Sequence, residues 1–118
     1  MEPQKIGTQF GTRANGVFFT PEQNTTGMIV RTATMHCGAL YGILSTGTKK
    51  PTGYSDSTVP VILSCRGTQP TSTGFAGASA TLPFPVIIPA GQGLWSEITS
   101  SWTDTAFVYV TWDPLPVA

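Results

Sequence analysis

Apolar and polar positions alternate along this chain in short runs, each closed by Gly, Pro or a polar cluster. No stretch sustains apolar spacing at i, i+3, i+4 and i+7 over several turns, so helix is at most a minor component. The clearest run is Asp104 to Trp112. Ala106, Val108, Val110 and Trp112 lie on one face, and Phe107, Tyr109 and Thr111 on the other. Both faces are apolar enough for a central strand, or for one covered by a second subunit. Phe107 and Trp112 are assigned to the core. Upstream, Leu94, Ser96 and Ile98 alternate with Trp95, Glu97 and Thr99, which points Leu94 and Ile98 inward.

Earlier runs are shorter. Ala14 to Thr20, with Val17, Phe18 and Phe19, reads as a short strand before Pro21 and the polar turn Pro21 to Gly27. Met28 to Cys37 reads as a strand, but neither alternate set is cleanly apolar, so the pattern leaves its inner face open. Ala39 to Thr46 resumes β character after Gly38. Pro60 in Val59 to Cys65 points to an edge strand or to the strand's first residues, because proline donates no ladder hydrogen bond. An irregular strand is expected near Gly74 to Thr81. Pro83, Pro85 and Pro89 confine Phe84 to Ile88 to an edge or the start of a sheet. Pro89-Ala90-Gly91 reads as a turn in which Gly supplies positive φ.

About seven or eight short strands parted by Gly/Pro turns predict an all-β fold: a single-domain antiparallel β-sandwich, jelly-roll-like. Residues 14–113 form the sandwich. Residues 1–13, with isolated Ile6 and Phe10, read as an extended N-terminal arm, and 114–118 as an extended C-terminal tail exposing Leu115 and Val117. The polar excursion Gly47 to Thr58 carries one large apolar group, Tyr54.

Composition narrows the function. Six basic and six acidic residues in 118 give no net charge, and only 10% of residues are charged. A typical domain is about a quarter charged. A free monomer usually needs charge for solubility, so partners are expected to cover much of this surface. Scattered Lys and Arg argue against nucleic acid, which demands a basic cluster. No apolar run approaches the roughly 18 residues of a membrane span. The N-terminus lacks a basic start followed by an apolar core, so synthesis and folding in a cytoplasm are expected. In that setting Cys37 and Cys65, each ending a strand-like run, are read as buried free thiols. The triplet Asn24-Thr25-Thr26 matches a glycosylation acceptor but is read as loop composition.

The search for chemistry names no catalytic, cofactor or metal residue. Any nucleophilic relay would need His36, the one histidine, and His36 sits beside Cys37 in a strand, where neighbours face opposite ways. Glu97 and Asp104 read as an exposed pair flanking a turn. Gly91-Gln92-Gly93 lacks the third glycine and the helix of a phosphate loop. Aromatic residues suggest contact instead. Trp95 and Trp112 suit a core, whereas Trp102 on a polar turn suits an interface. The candidate interface residues are Phe10, Tyr54, Trp102, Leu115 and Val117.

The segment PVIIPAGQGLWSEITSSWTDTAFVYVTWD has an IPAGxGLW turn followed by a closing strand of alternating apolar and aromatic residues. It resembles small β-sandwich structural proteins of tailed bacteriophages. IVRTATMHCGALYGILSTG is similar to their early paired strands, so the resemblance covers Gly27 to Asp113. It implies a non-enzymatic virion protein, a head decoration (cement) subunit or a tail, neck or fibre component with a receptor or glycan surface. Implied partners are capsid or other virion proteins and further copies of the chain, a trimer being the symmetry common at capsid and fibre sites.

Overall fold

The computed structural model describes residues 3, 5–37, 41–53, 55–67, 78–99 and 107–116. The described residues form strands and no helix: β1 (Gln9–Arg13), β2 (Gly16–Phe19), β3 (Met28–Cys37), β4 (Tyr41–Gly47), β5 (Val61–Arg66), β6 (Ala78–Thr81), β7 (Val86–Ile88), β8 (Gly93–Thr99) and β9 (Phe107–Pro114). They build two antiparallel sheets. One runs β1-β9-β3-β6, with β7 also on β3; the other runs β2-β8-β4-β5. β6 pairs the last part of β3 and β7 its first part, so the two act as one edge strand broken around Pro83 and Pro85. Counted that way, four strands face four, and the chain passes between sheets in jelly-roll order. The all-β sandwich expected from the alternation is the fold observed.

The core lies between the sheets. Val30, Ala33, Met35, Val108, Val110 and Trp112 come from one sheet, and Phe18, Phe19, Leu44, Leu94 and Ile98 from the other. Leu94 and Ile98 point inward as predicted, and β5 is an edge strand as Pro60 allowed. Gly91 has φ +84° in the turn before β8, where its amide donates to the carbonyl of Asn24 at 2.8 Å.

Two irregularities explain what alternation could not. In β3 the register shifts between Val30 and Thr32, so Met28 and Val30 face inward before the bulge and Ala33, Met35 and Cys37 after it. A β-bulge inserts one residue and so swaps the inward-facing set. In β2 the register shifts between Val17 and Phe19, and consecutive residues Phe18 and Phe19 are both buried against the Trp112 ring.

Three expectations change. Cys37 and Cys65 are joined in a disulfide, not left as free thiols. They do not sit on neighbouring strands; the bond links β3 of one sheet to β5 of the other. Gly42 makes room for it, since a Cβ there would stand 2.8 Å from Cys37 Sγ. The arm is not wholly outside the sheet: Gln9–Arg13 is β1, paired along β9. Phe107 is not core: it is 37% exposed, because β9 turns Val108, Val110 and Trp112 inward and Phe107 outward.

Asn24 holds one end of the sandwich. It is 1% exposed, its Nδ2 donates to the carbonyls of Pro89 (2.8 Å) and Gln92 (2.9 Å), and its Oδ1 accepts from the Gly27 amide (2.8 Å). A glycan on that amide would need the space and the bonds already used, so the loop-composition reading of Asn24-Thr25-Thr26 stands.

Candidate interaction surface

The outward face of the β1-β9-β3-β6 sheet collects the unusual side chains. Pairing places them in rows across the strands. Phe10, Thr111 and Thr32 form one row; Thr12, Tyr109, Thr34 and Thr81 the next; Phe107, His36 and Ser79 the last. Below the bulge, Ile29 and Ile87 form a further outward pair. Phe10 is 81% exposed, Ile87 61% and Tyr109 46%. The Tyr109 ring stands edge-on to His36 at 5.7 Å between centroids, and the Phe107 ring, paired with His36 in the adjacent row, lies 6.3 Å from Tyr109.

The strands of this sheet turn two charged side chains outward, and these satisfy each other. The bulge directs Arg31 outward, where its Nε donates to Asp113 Oδ2 at 3.2 Å. Asp113 Oδ1 accepts from the hydroxyl (2.6 Å) and the amide (2.8 Å) of Thr8. The Thr8 bonds, with Arg31 assisting, hold the Asp113 carboxyl down at about 2. The Gly7 amide donates to Thr111 Oγ1 (3.1 Å), which also meets the Thr32 hydroxyl at 2.6 Å. A Cβ on Gly7 would stand 2.4 Å from the Trp112 backbone nitrogen, so only glycine allows the chain to cross β9 this closely. Residues 7 and 8 thus clamp the arm over Thr111 and Asp113, and the Tyr109 and Phe107 rows stay open beyond them.

The other sheet treats its outward face differently. Ile43, Ser45 and Trp95 point away from the core, yet they are 7%, 0% and 6% exposed. The connection after β4 supplies buried Pro51 and Val59, and Thr46 donates its amide to the Pro60 carbonyl at 2.9 Å. Asp56 braces this connection. It accepts from the Thr58 hydroxyl and amide and from the Thr52 amide, and these bonds, the Thr58 hydroxyl first, hold its carboxyl well below the usual range.

The residues singled out in the sequence fare unequally. Phe10 is on the open face. Leu115 is half-buried and turned back on its own chain: its amide donates to the Gly27 carbonyl (2.9 Å) and its carbonyl accepts from the Thr26 hydroxyl. Tyr54, Trp102 and Val117 lie outside the described residues, as does Asp104. His36 is exposed on the face opposite Cys37, as strand alternation required. Phe107, Tyr109 and Ile87 were missed as surface residues. For Phe107 and Tyr109 the signal was present in the apolar second face of β9, which fitted either a central strand or a covered one.

A cavity of about 300 Å³ opens at the β1/β2 end of the sandwich, lined by Gln9, Phe18, Phe19, Met28 and Trp112 among others. Among the described residues no group of three or more His, Cys, Asp or Glu could hold a metal ion, and no helix is long and apolar enough to cross a membrane. The class defined by this geometry is an all-β jelly-roll sandwich in which one outward face is covered at its centre, over Ile43, Ser45 and Trp95, with Val17 and Val61 exposed at its edges, and the other is open. No protein-family model, curated protein or solved structure matches the chain.

Proposed function

We propose that this chain is a non-enzymatic structural subunit of a bacteriophage virion, acting as a head decoration (cement) protein. The observation that carries the reading is the open outward face of the β1-β9-β3-β6 sheet. It combines exposed Phe10, Tyr109 and Ile87 with a charged pair satisfied within the chain. Depletion of free charge with aromatic enrichment marks the centre of a protein interface. The jelly-roll order supports the reading as fold-level analogy, since viral capsid domains use that architecture. The resemblance of the Pro85 to Asp113 segment to phage β-sandwich proteins supports it from the sequence side. The mechanism is burial of apolar area, about 25 cal/mol for each Å² removed from water, which holds neighbouring shell subunits together.

Electron microscopy of the source particle tests this. Density for the chain on the capsid shell is the expected result. Density confined to the neck, tail or fibres replaces the cement role with that of a tail-associated component. Absence from the particle overturns the virion reading altogether.

A further inference from the structure

We propose that the open face of the β1-β9-β3-β6 sheet is a face-to-face interface between two copies of this chain. The proposal rests on the reading of the chain as an assembly subunit only in treating that face as an interface.

Three observations favour a second copy as the occupant. The first is electrostatic. In a two-fold interface the same patch lies on both sides, so a patch with net charge would face that same net charge. On these strands the outward charges are Arg31 and Asp113, and they neutralise each other within one chain, leaving nothing to repel its twin. A partner of opposite charge would have nothing to read here.

The second is shape. Two sheets stack face to face at about 10 Å when their side chains interdigitate. The outward rows alternate rings with short hydroxyl side chains: Phe10 beside Thr111 and Thr32, and Tyr109 between Thr12 and Thr34. The Tyr109 ring of one copy can therefore sit over the Thr12 or Thr34 position of the other.

The third is size. The face is built from β1 (5 residues), β3 (10), β6 (4), β7 (3) and β9 (8), thirty residues in all. At about 3.4 Å per residue and about 4.8 Å between strands, they cover roughly 490 Å² before side-chain relief is counted. Two such faces bury about 1,000 Å², the size of a weak, concentration-dependent interface. The arm clamped by Asp113 borders the patch and adds to its rim.

Purified full-length chain, with no virion protein present, tests this by sedimentation over a concentration series. The expected result is a concentration-dependent dimer. Phe10→Glu combined with Tyr109→Glu should raise its dissociation constant about a hundredfold or more, as facing like charges do. Val61→Glu, at an exposed position on β5 of the other sheet, should leave it unchanged. A dilution series of the unmodified chain followed by NMR guards against a misfolded variant: shifts should appear at Phe10, His36 and Tyr109 and be absent at Val17 and Val61. A chain that stays monomeric, or a dimer whose shifts map to Val17 and Val61, overturns the proposal. A monomer that still binds capsids defeats the dimer and leaves the cement reading intact; a dimer missing from the particle does the reverse.

Discussion

The two outward faces of the sandwich begin from similar material and end differently. Both carry apolar side chains where an isolated sandwich would carry polar ones: Ile43 and Trp95 on the β2-β8-β4-β5 sheet, and Phe10, Tyr109 and Ile87 on the other. The first set is buried within the chain. The second stays exposed, although the same chain has an arm lying across part of it. Covering one face and clamping only the end of the other leaves a surface whose rings gain by meeting a partner. The comparison separates two meanings of an apolar outward residue, fold stability in one place and, in the proposed function, association in the other, and substitutions can test that separation.

The largest effect is expected on the covered face. Trp95→Ala should cost about 3–5 kcal/mol, the usual price of deleting a buried large aromatic. Urea unfolding measures it. A loss below about 1 kcal/mol, typical of exposed sites, would mean that the face is not sealed and that the contrast between the sheets fails.

The link between the faces comes next. The disulfide spans a sequence separation of 28. Closing a loop of that size limits the unfolded chain by about 3–4 kcal/mol in the entropic account. Cys37→Ser with Cys65→Ser should lower stability by about that amount, and a reductant should do the same to the native chain. Equal unfolding midpoints with and without reductant would show that the bond does not form in solution.

The acid response of the arm should be smaller, and it isolates the clamp on the open face. The folded pKa of Asp113 is lowered from 3.8 to about 2. Its contribution is therefore fully present above about pH 4 and fades as pH falls towards 2, because the unfolded chain takes up the proton first. The urea midpoint of the native chain should drop across that window. Asp113→Asn should start lower and drop less. Asp56 titrates in both proteins and cancels from the comparison. Parallel curves would show that the carboxylate does not hold residues 7 and 8.

Much of this contrast was legible in the sequence, and the exceptions have physical causes. The strands, the edge positions of the proline-bearing segments and the inward Leu94 and Ile98 all follow from period-two alternation and from proline's missing donor. The inner face of β3 was unreadable because one extra residue at the bulge reverses the alternation midway. Phe18 and Phe19 both face inward for a similar reason. The disulfide was missed because the expected reducing compartment argued for free thiols, and because its partners lie on facing sheets, a relation that spacing along the chain does not encode. Phe107 was placed in the core because hydrophobicity alone does not distinguish a strand face that meets the other sheet from one that meets a partner. Leu115 looked free because its bonds run to Thr26 and Gly27, far away in the chain.

The smallest expected effect bears most directly on the open face. Phe10 is 81% exposed on an edge strand. Phe10→Ala should change the stability of the monomer by no more than about 0.5 kcal/mol, the range for surface substitutions without special contacts. Unfolding should therefore be followed at concentrations below the onset of association, where a partner contributes nothing. A loss there of 2 kcal/mol or more would show that the ring supports its own fold, and Phe10 would then belong with Trp95. A neutral result at low concentration, joined to a loss of stability relative to the native chain at high concentration, would assign the ring to contact between copies. That pattern follows because anything that binds only the folded state stabilises it by mass action. The same substitution thus separates a residue that builds the sandwich from one that the sandwich presents.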